Sequence, residues 1–119
     1  MILGVGNDIV EIKRIEKACE KEAFMHRYYT EEELVLCKNK ASKLAGNFAV
    51  KEAVAKSFCT GFRGFEAKDI EVLRDELGKP YVQLYGGAKM KYEAMGATSI
   101  HVSISNTDEL ASAVAILEK

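Results

Sequence analysis

The chain has 119 residues, 48% hydrophobic and 29% charged, with a formal net charge of −1, which predicts one water-soluble globular domain spanning 1–119. So even a charge balance excludes a global nucleic-acid footprint, and no apolar run approaches the roughly 20 residues that a membrane helix needs. The odd count of three cysteines (Cys19, Cys37, Cys59), with no Cys-x-x-Cys motif, points to buried reduced thiols in a cytoplasmic protein. A core of this size is modest, so oligomerisation would be a natural supplement.

Ile2–Asn7 reads as a strand with glycine at Gly4 and Gly6. It has no basic n-region and meets Asn7-Asp8 at once, unlike a secretory leader. Ile2, Gly4, Gly6 and Asp8 share one face under period-two alternation. Two glycines beside an acid leave room for something to approach the backbone. Asp8-Ile9-Val10-Glu11 also fits a helix N-cap with Glu at the third helical position, and the local pattern leaves both readings of Asp8 open. A helix is predicted from about there to Phe24, with Ile12, Ile15, Cys19 and Ala23 at helical spacing. Lys13, Lys17 and Lys21 fall at i, i+4 and i+8, with Arg14 beside them and Glu16, Glu20 and Glu22 interleaved. This is either a solvated face or a short basic edge for a small acidic protein.

Thr30-Glu31-Glu32-Glu33 matches a capping box and starts a short helix carrying Leu34, Leu36 and Cys37. Ala41–Cys59 reads as the longest helix, stopping near Thr60-Gly61 with a glycine C-cap. Leu44, Ala45, Phe48, Ala49 and Ala55 share a face, and Glu52 falls among them. A carboxylate in an apolar stripe must be neutralised, paired or bound to a metal. An i,i+4 pair with Lys56 is the plain account. Lys43, Asn47 and Lys51 are expected on the other faces.

Phe62–Lys68 reads as a loop. Thr60-Gly61-Phe62-Arg63-Gly64 bears glycines without P-loop spacing, so Gly61 alone is a weak phosphate-binding candidate. Asp69–Asp75 and Tyr81–Tyr85 are predicted strands flanking a turn at Glu76–Pro80. Gly86-Gly87 breaks the pattern, and Ala88–Met95 is a short helix. In Thr98–Ser105 the side chains of Ile100, Val102 and Ile104 point one way and those of Ser99, His101, Ser103 and Ser105 the other. That polar face is either an ordinary solvent surface or a hydrogen-bonding face for phosphates with His101 as donor. Leu110–Leu117 is a last apolar strand. The order predicts an α+β fold, a largely antiparallel sheet packed with helices.

Asp8 and Glu52 offer two oxygen ligands without a Cys/His cluster, a set that suits a hard cation, Mg²⁺ above all. Mg²⁺ held by two carboxylates keeps waters and takes substrate phosphates. Lys56 would then neutralise phosphate near the metal.

Three separated segments resemble one family. Gly4-Val5-Gly6-Asn7-Asp8-Ile9-Val10-Glu11-Ile12-Lys13-Arg14-Ile15 is similar to the N-terminal signature of the holo-acyl-carrier-protein synthases, the small class of 4′-phosphopantetheinyl transferases. Leu44-Ala45-Gly46, continuing as Phe48-Ala49-Val50-Lys51-Glu52-Ala53-Val54-Ala55-Lys56, resembles the family's central motif, and His101-Val102-Ser103-Ile104-Ser105 its C-terminal one. Gly78-Lys79-Pro80-Tyr81 also fits. The resemblance covers nearly the whole chain. It implies a 4′-phosphopantetheinyl transferase-like fold. It further implies transfer of phosphopantetheine from coenzyme A to a serine of an acyl carrier protein, releasing adenosine 3′,5′-bisphosphate, a step in fatty acid and lipid biosynthesis.

By the same resemblance, Asp8 and Glu52 match Mg²⁺ ligands. Lys56 matches a lysine near the transferred phosphate, and His101 a histidine near the coenzyme A phosphates. Arg14, with Lys13 and Lys17, matches the edge that meets the acidic carrier protein. Glu52 is the candidate base for the carrier serine. The family is typically a homotrimer with active sites between subunits. Three positions depart from its pattern. Asn106 stands where His is frequent, Asn47 where Arg is frequent, and Cys59 where Gly is usual. These bear on coenzyme A affinity more than on the reaction. Two other functions fit the same residues, namely a non-catalytic coenzyme A-binding regulator and a ligand-free oligomerisation domain.

Overall fold

The computed structural model describes all residues, 1–119. In chain order the elements are β1 (Ile2–Glu11), α1 (Ile12–Ala18), α2 (Glu22–Tyr28), α3 (Glu31–Cys37) and α4 (Ala41–Ser57). A 3-10 turn (Ala67–Asp69) leads into β2 (Ile70–Arg74) and β3 (Pro80–Leu84), followed by α5 (Gly86–Ala94), β4 (Ser99–Asn106) and β5 (Leu110–Glu118). The strands form an antiparallel sheet in the order β1-β5-β4 and a separate antiparallel hairpin, β2-β3. The α+β expectation holds.

The core is built around α4, which packs on β1 and β5 on one side and on α1, α3 and β2 on others. Small residues allow this. Ala45, Ala49, Ala53 and Ala55 of α4 are buried, as are Ala111, Ala113 and Ala115 on the inner face of β5. Gly4 and Gly6 extend the principle to β1, because a Cβ at either would overlap the carbonyl oxygen of Ser57 or of Ala53. The room left by the two glycines is therefore filled by α4 itself, and no ligand can use it there.

Several elements differ from the sequence reading. β1 does not stop at Asn7 but pairs with β5 through Asp8↔Ala113 to Glu11↔Leu110. Asp8 is thus a strand residue, and its N-cap reading is wrong, because ladder hydrogen bonds satisfy the backbone that a cap would have served. The helix expected to reach Phe24 breaks at Cys19-Glu20-Lys21 into α1 and α2. The break lets α2 stack Phe24 and Tyr28 in line with Phe48 of α4. The first left-handed residue after α4 is Cys59 (φ +67°), two positions before the expected Gly61, which is left-handed as well.

Thr30 does cap α3, since its Oγ1 accepts from the Glu33 N–H at 3.2 Å and Glu33 Oε1 accepts from the Thr30 N–H at 3.2 Å. Glu33 nevertheless lies in the core together with Asn47 and Lys51, all three fully buried. Asn47 and Lys51, expected on faces away from the apolar stripe, are thus part of the core. Lys51 Nζ donates to Glu33 Oε1 (2.7 Å) and to the carbonyls of Ala67 and Ile70. Asn47 donates to Glu33 and to the Val72 carbonyl and accepts from Arg74. This network ties α3 and α4 to the hairpin. Of the cysteines only Cys37 is fully buried; Cys19 is half-buried and Cys59 exposed. No helix is long and apolar enough to cross a membrane.

Candidate active site

Along β1 the inward residues descend the flank of α4, with Gly4 against Ser57 and Gly6 against Ala53. Asp8 is the next inward residue and emerges at the rim of this seam, beside the turn of α4 that carries Glu52 and Lys56. Lys56 Nζ reaches across to the Asn7 carbonyl at 3.0 Å and to Asp8 Oδ1 at 3.3 Å. The Lys56 side chain is 53% exposed and that of Asp8 16%. A pair this open holds with no more than about 1 kcal/mol, so the ammonium can turn to another anion at little cost.

Glu52 is not paired with Lys56, which corrects the i,i+4 reading. Its Oε1 accepts instead from the Tyr28 hydroxyl at 2.7 Å. Burial, and after it the hydrogen bond to Glu52, pushes the Tyr28 phenol well above its ordinary range, with smaller contributions from the charges of Glu52 and Asp8. Tyr28 is therefore a neutral donor at any working pH, within electrostatic reach of both acids. The sequence does not single it out, although Phe24 and Tyr28 at i,i+4 spacing could point to an aromatic pair.

No cluster of three His, Cys, Asp or Glu side chains that could hold a metal exists, so the protein would offer a cation two carboxylates. Each spends one oxygen on a protein donor, Glu52 Oε1 on Tyr28 and Asp8 Oδ1 on Lys56. Glu52 Oε2 and Asp8 Oδ2 take none. An all-oxygen anionic pair at a half-open rim fits Mg²⁺, which prefers oxygen and completes its shell with water and substrate phosphates.

His101 lies elsewhere in the chain. It stands on β4, beyond β5 from β1, and projects from the outer sheet face, opposite to Asp8. Its Nε2 and Ser99 Oγ share Glu118 Oε1 at 2.9 and 3.3 Å. These hydrogen bonds hold the Glu118 carboxyl below its usual range. One copy of the chain does not bring His101 to Asp8 and Glu52. Gly61 sits in the loop after α4 with open space at its Cα (φ +65°). Asn47, which stands where the family pattern has Arg, is sealed in the core and cannot touch a ligand directly.

Lys13, Arg14 and Lys17 are exposed on α1. A groove of about 400 Å³ between α1 and α2 is lined by Arg14, Lys17, Lys21, Phe24 and Arg27. Arg27 escapes the sequence reading because it lies past Phe24, where the first helix is expected to end, whereas α2 continues to Tyr28.

The chain matches the model of the 4′-phosphopantetheinyl transferase superfamily over residues 4–114. It is 53% identical to a holo-[acyl-carrier-protein] synthase of Lachnoclostridium phytofermentans over 118 residues, covering 99% of this chain and 97% of that one. Among solved structures it is similar to the holo-[acyl-carrier-protein] synthase of Neisseria meningitidis, with a TM-score of 0.91, 34% identity and 100% of both chains covered. The Helicobacter pylori enzyme in complex with coenzyme A has a TM-score of 0.86 and 36% identity, with 96% of this chain and 99% of that chain covered. The chain belongs to the 4′-phosphopantetheinyl transferase superfamily, in its holo-[acyl-carrier-protein] synthase branch, and is an enzyme.

Proposed function

We propose that the protein transfers 4′-phosphopantetheine from coenzyme A to a serine of an acyl carrier protein in the cytoplasm, with Mg²⁺, releasing adenosine 3′,5′-bisphosphate. The observation that carries the reading is the seam between β1 and α4, where two carboxylates with free oxygens lie near a half-exposed lysine. Relatives named holo-[acyl-carrier-protein] synthase and a coenzyme A complex of one of them support the substrates.

Asp8 and Glu52 would hold the Mg²⁺, which when bound supplies Lewis-acid polarisation of a diphosphate. Lys56 turns from Asp8 to offset charge on the oxygen that leaves. The serine oxygen bonds to the phosphorus of the phosphopantetheine, the bond from that phosphorus to the adenosine bisphosphate breaks, and the serine proton passes to the Glu52 carboxylate. The exposed basic edge of Arg14, Lys13 and Lys17 suits an acidic carrier protein. Gly61 lies in an open loop that a ligand can approach.

The active assembly is proposed to be a homotrimer. His101 points away from the acids of its own chain, and the sheet face it shares exposes Val5 at 57% and Ile9 at 64%. Pairing that face with another copy would cover the apolar residues and could carry His101 to a neighbour's seam. Incubation with coenzyme A, Mg²⁺ and an apo carrier protein tests the reaction. The carrier should gain the mass of one phosphopantetheine group, whereas a coenzyme A-binding regulator would bind and add nothing.

A further inference from the structure

We infer that Tyr28 is a positioning residue for Glu52, holding one carboxylate oxygen so that the other stays aimed at a divalent cation. The inference rests on the proposed ligand role of Glu52. Its hydroxyl donates to Glu52 Oε1 at 2.7 Å across 24 residues of sequence, so the bond is made by tertiary packing and not by local geometry. The ring cannot wander. It is stacked on Phe24 (centroids 5.1 Å apart, 15° between planes) and on Phe48 (4.8 Å, 17°), with Tyr29 tilted against its side at 5.9 Å. Phe48 lies one turn before Glu52 on the same helix, so the stack braces the tyrosine against the element whose carboxylate it holds. A glutamate in solution samples many rotamers, and one clamped on a single oxygen samples few. Partners that orient a metal-binding group in this way affect metal affinity by about 10–100-fold when removed.

Tyr28→Phe deletes the hydroxyl and keeps the stack. Titration of Mn²⁺ into the full chain, with the free ion followed by electron paramagnetic resonance, should show affinity weakened about 10-fold or more. Thermal unfolding should stay close to wild type. Initial rates should show the matching split, with a raised KM for Mg²⁺ and a nearly unchanged kcat at saturating metal. Phe48→Leu, which loosens the stack but leaves the hydroxyl, should fall between wild type and Tyr28→Phe. Glu52→Gln is the control for the underlying reading. If it abolishes Mn²⁺ binding while Tyr28→Phe binds like wild type, the role of Tyr28 is overturned and that of Glu52 stands. If Glu52→Gln also binds like wild type, both are overturned. A Tyr28→Phe protein with lowered thermal stability but unaltered metal affinity would show a merely structural tyrosine, and would overturn the inference too.

Discussion

Replacing Lys51 by methionine removes an ammonium from the core and keeps most of the side-chain volume. The structure makes the cost calculable. Lys51 Nζ serves three acceptors, Glu33 Oε1 and the Ala67 and Ile70 carbonyls. After substitution Glu33 retains only the Thr30 N–H at 3.2 Å and Asn47 Nδ2 at 3.0 Å. An uncompensated buried charge costs about 3–5 kcal/mol, and at roughly 4 °C per kcal/mol for a domain of this size the melting temperature should fall by about 12–20 °C. Concentrations must be matched, because self-association would add to apparent stability. Burial already pushes the Glu33 carboxyl up, against the opposing Lys51 charge, so removing Lys51 strengthens the shift. A raised folded-state pKa makes stability greatest below the unfolded value of 4.5 and smaller as pH rises through the folded one. Lys51→Met should therefore recover stability on acidification from neutral pH toward 4.5. Glu33→Gln/Lys51→Met removes both charges and should be more stable than Lys51→Met alone. Urea denaturation followed by circular dichroism reads each value. A Lys51→Met loss under about 1 kcal/mol, or a double variant as weak as the sum of the singles, would refute the reasoning.

Gly6→Ala would drive its Cβ into the Ala53 carbonyl and the Ser57 amide. With only backbone to yield, the protein should lose at least about 3 kcal/mol, or fail to fold, as read by chemical denaturation. Cys59 holds φ +67° after α4, so Cys59→Gly should raise stability by about 0.5–1 kcal/mol after allowing for the freer unfolded chain. Burial, aided by the Glu33 charge, holds the Cys37 thiol up at about 11 against an ordinary 9.0. The folded state thus keeps a proton that the unfolded state loses, and stability should decline between pH 9 and 11, by up to about 3 kcal/mol. Cys37→Ser should flatten that slope in alkaline unfolding curves.

The candidate site residues on the rim are legible because their neighbours carry a clear period. Gly4, Gly6 and Asp8 alternate, and Glu52 interrupts an apolar stripe. The polar core was not legible, for a physical reason. α4 is packed well beyond its apolar stripe, so flanking residues are buried too, and Asn47 and Lys51, which lie off that stripe, look like solvent residues in the sequence. What buries them is Glu33, fourteen and eighteen residues away, together with the hairpin carbonyls. The Glu33 capping box was read correctly, yet a cap gives no hint of a second role in the core. The end of β1 is hidden for a similar reason, since its last four residues are held by β5, about a hundred positions later. The break between α1 and α2 contains no glycine or proline to announce it.

The opposite orientations of His101 and the acid pair are the feature of the site with the sharpest consequence. Asp8 faces α4, whereas His101 faces outward across the sheet and is tied to Glu118 at 2.9 Å. If both serve one substrate molecule, they come from different copies. In a closed three-fold ring each site would then draw its acids from one subunit and its histidine from the next. Glu52→Gln and His101→Ala each damage one contribution. When equal amounts of the two are unfolded and reassembled together, a site is intact only where a His101→Ala subunit supplies the acids and a Glu52→Gln subunit the histidine. Random assembly makes that about one site in four. The mixture should recover about a quarter of wild-type transfer to the carrier protein, although each parent alone is impaired. A site completed within one chain would recover nothing, since every subunit carries a defect. A mixture no more active than its parents would show that His101 of one copy does not serve the acids of another, and a fully active His101→Ala protein would remove the histidine from the site altogether.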